Sequence, residues 1–122
     1  MTKTIMIVDD SSSMRMVVSI ALKGAGYAVL EGRDGQDALN KLTGQKVHLI
    51  ISDVNMPVMD GISFVKAVKQ LPAYKFTPII MLTTESEESK KREGQAAGAK
   101  AWVVKPFKPE QLLGAVQKLC LP

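Results

Sequence analysis

The sequence predicts an α/β protein in which a parallel β-sheet carries helices on both faces. Two observations support this fold class. Short apolar runs alternate along the chain with longer segments whose apolar residues recur at helical spacing, which gives five strand–helix units. The apolar runs are also largely continuous, as is typical of strands that are buried on both faces of a parallel sheet.

The predicted strands are the apolar runs themselves. In chain order they are 5–8, 27–31, 47–52, 78–82 and 100–104. The first is the run Ile5-Met6-Ile7-Val8, and the third contains the consecutive residues Leu49-Ile50-Ile51. Short apolar runs of this kind, bounded by polar or turn-forming residues, are typical of buried strands.

The predicted helices occupy the segments that follow each strand. They are 14–22, 35–42, 61–71, 87–97 and 109–119. Residues that disfavour helix follow the first four of them, at Gly24 and Gly26, Gly44, Pro72 and Gly98. Pro109 opens the last helix, because proline is well suited to the first helical turn.

The composition is that of one ordinary globular domain. The 122 residues are 46% hydrophobic and 23% charged, and they predict a single domain over 1–122 with no linker, repeat or attached output domain. The net charge of +4 is spread along the chain and aromatic residues are few, so we expect no nucleic-acid partner. Cys120 is the single cysteine and excludes an internal disulfide. The apolar run before Asp9 is too short for a signal peptide, and no apolar stretch approaches the length of a membrane span, so we expect a cytoplasmic domain that does not contact membrane.

Polar residues with chemical potential stand at the carboxyl ends of four predicted strands. They are Asp9 and Asp10 after the first, Asp53 at the end of the third, Thr83 after the fourth and Lys105 after the fifth. Because ligands of open parallel sheets bind in the crevice beyond these strand ends, we expect the five side chains to share one site.

The chemistry of this set suits a hard cation and a phosphoryl group. Three converging carboxylates repel one another unless a cation lies among them, and oxygen ligands without histidine or thiolate favour Mg²⁺ over zinc or copper. An aspartate can also attack phosphorus as a nucleophile, while Lys105 and the Thr83 hydroxyl would contact the phosphoryl oxygens.

Each of these residues also has a structural alternative. Asp9 and Asp10 could cap a helix, Asp53 could be a turn residue, Thr83 could be a helix N-cap, and Lys105 could be a solvated loop lysine. Their joint occurrence at one end of one predicted sheet favours the functional interpretation.

The chain resembles the receiver domains of two-component signalling, and in particular single-domain chemotaxis regulators of the CheY type. The segments that carry the resemblance are Ile7-Val8-Asp9-Asp10-Ser11-Ser12, 52–61, Met81-Leu82-Thr83 and Val103-Val104-Lys105-Pro106-Phe107. The resemblance implies a flavodoxin-like doubly wound sheet of five parallel strands in the order 2-1-3-4-5 with five helices. It also implies a monomer.

The resemblance assigns roles at the site. Asp53 would accept the phosphoryl group, with Thr83 and Lys105 contacting it. Mg²⁺, for which Mn²⁺ could substitute, would be held by Asp53, by Asp10 directly and by Asp9 through water. The metal would also take the backbone carbonyl of Asn55.

Further positions follow from the same resemblance. Trp102 stands where the family carries a switch aromatic, usually tyrosine or phenylalanine. Asn55 and Glu85 resemble the pair of fast-cycling regulators and imply a phosphoryl lifetime of seconds to a minute or so. The Lys105–Pro106 peptide bond is expected to be cis, since proline makes that isomer accessible.

Two functions remain open from the sequence. The first is a binding switch that a chemotaxis-type histidine kinase phosphorylates and that docks on a flagellar motor switch protein or a phosphatase. The second is a phosphorelay intermediate or phosphate sink that passes the group to a histidine phosphotransfer protein. An aspartate-nucleophile phosphohydrolase is disfavoured because Asn55 replaces the acid–base residue of such enzymes, so we expect no enzyme activity on other substrates. His48 is expected to be structural, and Met14 and Met16 are expected to serve core and rim packing.

Overall fold

A computed structural model describes residues 3–54, 56–84, 88–105 and 107–119. The strands are β1 (Thr4–Val8), β2 (Ala28–Gly32), β3 (Leu49–Asp53), β4 (Ile79–Thr84) and β5 (Ala101–Lys105). The helices are α1 (Ser12–Gly24), α2 (Gly35–Leu42), α3 (Gly61–Lys69), α4 (Glu88–Ala97) and α5 (Pro109–Leu119), and a 3₁₀ turn spans Pro72–Tyr74.

The sheet has the predicted architecture. Its five strands pair in the order β2-β1-β3-β4-β5, and every pairing is parallel. Five helices accompany the strands, as the sequence predicts. The β3 strand lies at the centre, and all five of its residues are buried.

Strand alternation divides the core into two layers. Successive strand residues point to opposite faces, so Met6 and Val8 pack with α2 and α3 on one side of the sheet. Ile5 and Ile7 pack with residues of α1 and α5 on the other side. Each strand therefore needs apolar residues on both of its faces, which explains the continuous apolar runs.

The helix ends differ from the predicted ones for local reasons. The α1 helix begins at Ser12 rather than at residue 14, because the Ser11 side chain caps it by accepting a hydrogen bond from Met14 N at 3.2 Å. The α3 helix ends at Lys69, two residues early, and the chain then enters the 3₁₀ turn that Pro72 opens.

Two strands reach further than predicted. The β4 strand continues to Thr84 and β5 to Lys105, so the prediction that Thr83 and Lys105 follow their strands was wrong by one or two residues. Thr83 is a buried strand residue, which also excludes its alternative role as a helix N-cap. None of the helices in the described ranges has the length and hydropathy of a bilayer-spanning segment.

Candidate functional site

Asp53 is the last residue of the central strand, and its side chain points into the crevice beyond the sheet. The residue is 7% exposed, and the Val54 backbone N–H donates to Asp53 Oδ1 at 2.9 Å. Behind it the chain folds back closely, with Gly61 N donating to Val54 O at 2.8 Å. A Cβ atom at Gly61 would lie 2.0 Å from the Asp53 carbonyl oxygen, so only glycine fits there.

Two further carboxylates reach the same crevice from β1, the neighbour of β3. Asp9 is buried, Asp10 is exposed, and each offers an oxygen to a cluster with Asp53 in which these atoms lie within 4.8 Å of one another. Asp9 also accepts a hydrogen bond from Ser11 N at 2.9 Å, so its side chain is held at the start of α1. The predicted convergence of the three carboxylates is confirmed.

Lys105 supplies the positive charge of the site. Its Nζ lies 3.2 Å from Asp53 Oδ1 and 3.4 Å from Asp9 Oδ2. The ammonium therefore bridges the buried carboxylates of two adjacent strands, which excludes the alternative of a solvated loop lysine.

The charges around Asp53 act in opposite directions. Burial raises the pKa of the Asp53 carboxyl above its usual value, and the negative charge of Asp9 raises it further. The charge and hydrogen bonding of Lys105, with the Val54 N–H, lower the pKa and offset part of that rise. The net effect is a raised pKa, with burial as its largest cause.

The donor set fits a divalent hard cation. Three carboxylate groups provide oxygen ligands, and in the described part of the chain the residues of this cluster include neither histidine nor cysteine. A cation there would offset the repulsion that raises the pKa of Asp53. Mg²⁺ bound through Asp9, Asp10 and Asp53 is therefore chemically consistent with the site.

Thr83 and Trp102 lie on the same face of the sheet. Trp102 pairs with Met81 across β4 and β5, and Met81 and Thr83 are two residues apart on one strand. Paired residues and residues two apart share a face, so the hydroxyl and the indole both face the layer that contains Met81. The indole Nε1 is buried and has no hydrogen-bond partner among the described residues.

A pair of residues beside the acidic cluster was not predicted from the sequence. Arg15 Nη1 donates to the Asp9 carbonyl oxygen at 2.6 Å, and Arg15 Nε donates to Glu31 Oε1 at 3.1 Å. A signal was available, because a cation in the first turn of a helix opposes the helix dipole and calls for a local partner.

A strained turn in the loop after Asp53 was also not predicted from the sequence. Val58 has φ 68°, and Met59 N donates to Pro57 O at 2.7 Å, which closes a three-residue γ-turn around it. A β-branched residue in this region is an outlier. Nothing in the sequence indicates it, since valine is a poor choice for a positive φ.

Several predicted residues lie outside the described ranges or away from the site. Asn55, Glu85 and Pro106 fall outside the described residues, as does Cys120. His48 lies at the opposite end of the sheet, where its Nδ1 accepts a hydrogen bond from Thr4 N at 3.0 Å, so its structural role is confirmed.

The two methionines of α1 have different environments. Met14 packs partly buried against the core layer of α1 and α5, as predicted. Met16 is 63% exposed, so it lies outside the buried core.

Comparison with known proteins gives one consistent result. A family model of the response regulator receiver domain matches residues 5–117. Among curated proteins, protein PilG of Pseudomonas aeruginosa is 35% identical over 93% of this chain and 84% of its own length. The chain spans 50% and 49% of two further relatives, both transcriptional regulatory proteins.

Solved structures agree with this result. Chemotaxis protein CheY4 of Vibrio cholerae is 52% identical, with a TM-score of 0.94 over 98% of this chain and 99% of its own. The receiver domain of a sensor histidine kinase from Pseudomonas aeruginosa has a TM-score of 0.90, 27% identity and 98% coverage of both chains. That structure holds a magnesium ion coordinated in its active site cleft.

Proposed function

The chain belongs to the response regulator receiver domain family, and from that premise we propose that it is a phosphoacceptor switch of chemotaxis-type signalling. Asp53 is the acceptor in this proposal, and a histidine kinase is the donor. The observation that carries the proposal is the contact of one ammonium, that of Lys105, with the carboxylates of both Asp53 and Asp9 at the carboxyl edge of the sheet.

The geometry supports a direct transfer. A carboxylate oxygen of Asp53 attacks the phosphorus of a phosphohistidine, the P–O bond forms, and the P–N bond to the imidazole breaks. The leaving imidazole nitrogen takes a proton as the donor becomes neutral histidine. Burial and the hydrogen bond from Val54 hold the attacking group in one orientation, which is the main requirement of phosphoryl transfer.

The surrounding residues would neutralise the charge that the transfer brings in. Lys105, already 3.2 Å from Asp53, is placed to contact an oxygen of the new phosphoryl group. When bound at Asp9, Asp10 and Asp53, Mg²⁺ supplies further positive charge to the phosphoryl oxygens. The chain's own part is to hold these carboxylates together within 4.8 Å.

The output of the switch would pass through β4 and β5. A phosphoryl group on Asp53 carries about 1.5 to 2 negative charges in place of the single charge of the carboxylate, and its oxygens draw the Thr83 hydroxyl toward them. Thr83 and Trp102 share a sheet face, so movement of the threonine changes the space available to the indole. The indole N–H without a partner in its described surroundings supports a second indole position.

Labelling with acetyl phosphate and Mg²⁺ tests the acceptor. The wild-type protein should gain one phosphoryl group and change its Trp102 fluorescence, whereas Asp53→Asn should do neither. Asp60→Asn is the matched control, because Asp60 caps α3 in the same loop and asparagine also caps helices. Stoichiometric labelling of Asp53→Asn would overturn the assignment.

The similar proteins favour a role in chemotaxis over a role in a phosphorelay. The similar structure at 52% identity is a chemotaxis protein in Vibrio cholerae. We propose that the phosphorylated chain binds a motor-type target and acts on no external substrate as an enzyme. Capture of a flagellar switch peptide only by the phosphorylated form supports this, and transfer to a histidine phosphotransfer protein instead supports the relay.

A further inference from the structure

Arg15 and Glu31 form a strap across the start of the acidic site. Arg15 Nη1 donates to the Asp9 carbonyl oxygen at 2.6 Å, and its Nε contacts Glu31 Oε1 at 3.1 Å. The arginine side chain is 16% exposed, so the guanidinium is largely enclosed between α1 and the end of β2. The Arg15 side chain therefore links α1 to β2 and to Asp9, the residue that follows β1.

With Arg15 in place, both the N–H and the carbonyl of Asp9 have hydrogen-bond partners. Asp9 N donates to Gly32 O at 3.1 Å, so β2 holds the amide of this residue while Arg15 holds its carbonyl. The Asp9–Asp10 peptide group joins the two Cα atoms that carry the acidic side chains. Its orientation decides where the two carboxylates point, and partners of this kind commonly tune the affinity of a metal site.

The Arg15–Glu31 pair also limits the positive charge that Arg15 brings to the acidic site. A free guanidinium beside Asp9 and Asp10 would be attracted to their carboxylates and would compete with a cation for them. Glu31 offsets that charge and Asp9 offers only its carbonyl, so the pair adds no net charge to the site. The negative charge of the three clustered carboxylates is left to Lys105 and to a metal ion.

We propose that Arg15 and Glu31 are positioning residues for a divalent cation. Arg15 orients the Asp9–Asp10 peptide group, and Glu31 keeps the guanidinium away from the carboxylates. This inference rests on the proposed function, since it assumes that Asp9, Asp10 and Asp53 hold Mg²⁺.

Magnesium titration of four proteins tests the proposal: wild type, Arg15→Ala, Glu31→Gln and the double variant. Backbone amide resonances of Asp10 and Ser11 report binding, independently of any phosphorylation. Glu31→Gln leaves an uncompensated positive charge beside the ligands and should weaken Mg²⁺ binding about 10-fold. Removing Arg15 as well takes that charge away, so the double variant should recover to about threefold below wild type. Arg15→Ala alone should show the same threefold loss, because both variants lack the donor that orients the Asp9–Asp10 peptide group.

The metal-free spectra separate the two roles of Arg15. Arg15→Ala and the double variant should both shift the Asp10 amide resonance without Mg²⁺, because the Asp9 carbonyl has lost its donor. Arg33→Ala is the matched control: it removes an exposed pair with Asp37 at 3.8 Å that does not touch Asp9. This variant should bind Mg²⁺ like wild type.

The outcomes distinguish this inference from the proposed function. If wild type binds Mg²⁺ but Glu31→Gln binds it equally well, or the double variant is as weak as Glu31→Gln, the positioning pair is overturned while the proposed function stands. If Mg²⁺ does not shift the Asp10 amide resonance of the wild-type protein, the proposed metal site is wrong, and so is this inference.

Discussion

The Lys105 ammonium lies 3.2 Å from Asp53 Oδ1, across the width of β4, the strand that separates their own strands. The same nitrogen is 3.4 Å from Asp9 Oδ2, so one cation serves two buried carboxylates. Two negative charges that share one positive charge leave the cluster with a net negative charge. That imbalance is the physical reason why the site should bind a metal ion.

Replacement of Lys105 by methionine should raise the pKa of Asp53 further. The lysine lowers that pKa both by its charge and by its hydrogen bond, and methionine provides neither. The shift is measured by carbon NMR of the aspartate carboxyl groups in Mg²⁺-free buffer. Lys108→Met is the control, since Lys108 is exposed in the loop that follows β5. An unchanged or lower Asp53 pKa in Lys105→Met would show that Lys105 does not stabilise the ionised Asp53 carboxylate.

The raised pKa of Asp53 predicts how stability depends on pH. The folded state binds this proton more tightly than the unfolded state, so the ionised carboxyl destabilises the fold at neutral pH. Asp53→Asn should therefore be more stable than wild type at pH 7 without Mg²⁺. That advantage should shrink as pH falls through the raised pKa and vanish below the usual value of 3.8.

Asp37→Asn provides a control of opposite sign. Hydrogen bonding from the Arg33 backbone N–H, with the charges of Lys41 and Arg33, lowers the pKa of Asp37. Its charged form stabilises the fold above 3.8, so Asp37→Asn should be less stable than wild type at pH 7. That deficit should disappear as pH falls through the lowered pKa. Urea unfolding followed by circular dichroism measures both variants, and equal pH profiles would contradict the assigned shifts.

Gly61→Ala should damage the site through the backbone. The added Cβ would lie 2.0 Å from the Asp53 carbonyl oxygen, so the end of β3 or the start of α3 must move. We expect a loss of about 1–3 kcal/mol in unfolding free energy, together with slower acetyl phosphate labelling.

Gly114→Ala is the matched control for that change. Gly114 lies in α5, and a Cβ there meets nothing within 4 Å. Alanine should stabilise this helix by about 0.5–1 kcal/mol and leave labelling unchanged. If both alanine variants behave alike, the close approach of Gly61 to Asp53 does not constrain the site.

The sequence predicted the parts of the fold that depend on repeated patterns. Continuous apolar runs identified all five strands, because a strand buried on both faces needs apolar residues at successive positions. The meeting of Asp9, Asp53 and Lys105 followed from the rule that parallel strands end at one edge. The order of the strands was available only from the resemblance, since each local pattern is compatible with several orders.

The features that escaped prediction depend on three-dimensional contacts between segments. Arg15 meets Glu31 across sixteen residues of chain. The position of Arg15 in the first helical turn indicates that it needs a partner, but nothing in the sequence identifies that partner as Glu31. The length of β4 depends on its pairing with β5 up to Thr84 and Lys105, which no local apolar pattern reveals. Solvent exposure of Met16 likewise depends on which side of α1 the core covers.

Val58 stores backbone strain in the loop that follows Asp53. Its φ of 68° places a β-branched side chain in the left-handed region, while the side chain is 82% exposed and contributes little packing. Asparagine tolerates this conformation much better, so Val58→Asn should raise the unfolding free energy by about 1 kcal/mol.

The control for this prediction is a valine in ordinary backbone geometry. Val17 is 53% exposed within α1, where asparagine and valine have similar helix propensities, so Val17→Asn should change the unfolding free energy by less than about 0.5 kcal/mol. Urea unfolding of both variants gives the comparison. A gain at Val58 that Val17 does not share would place the strain in the γ-turn, because the two changes remove the same side chain from exposed positions. Equal effects at the two positions would mean that exposure of the valine side chain, and not its backbone angle, sets the outcome.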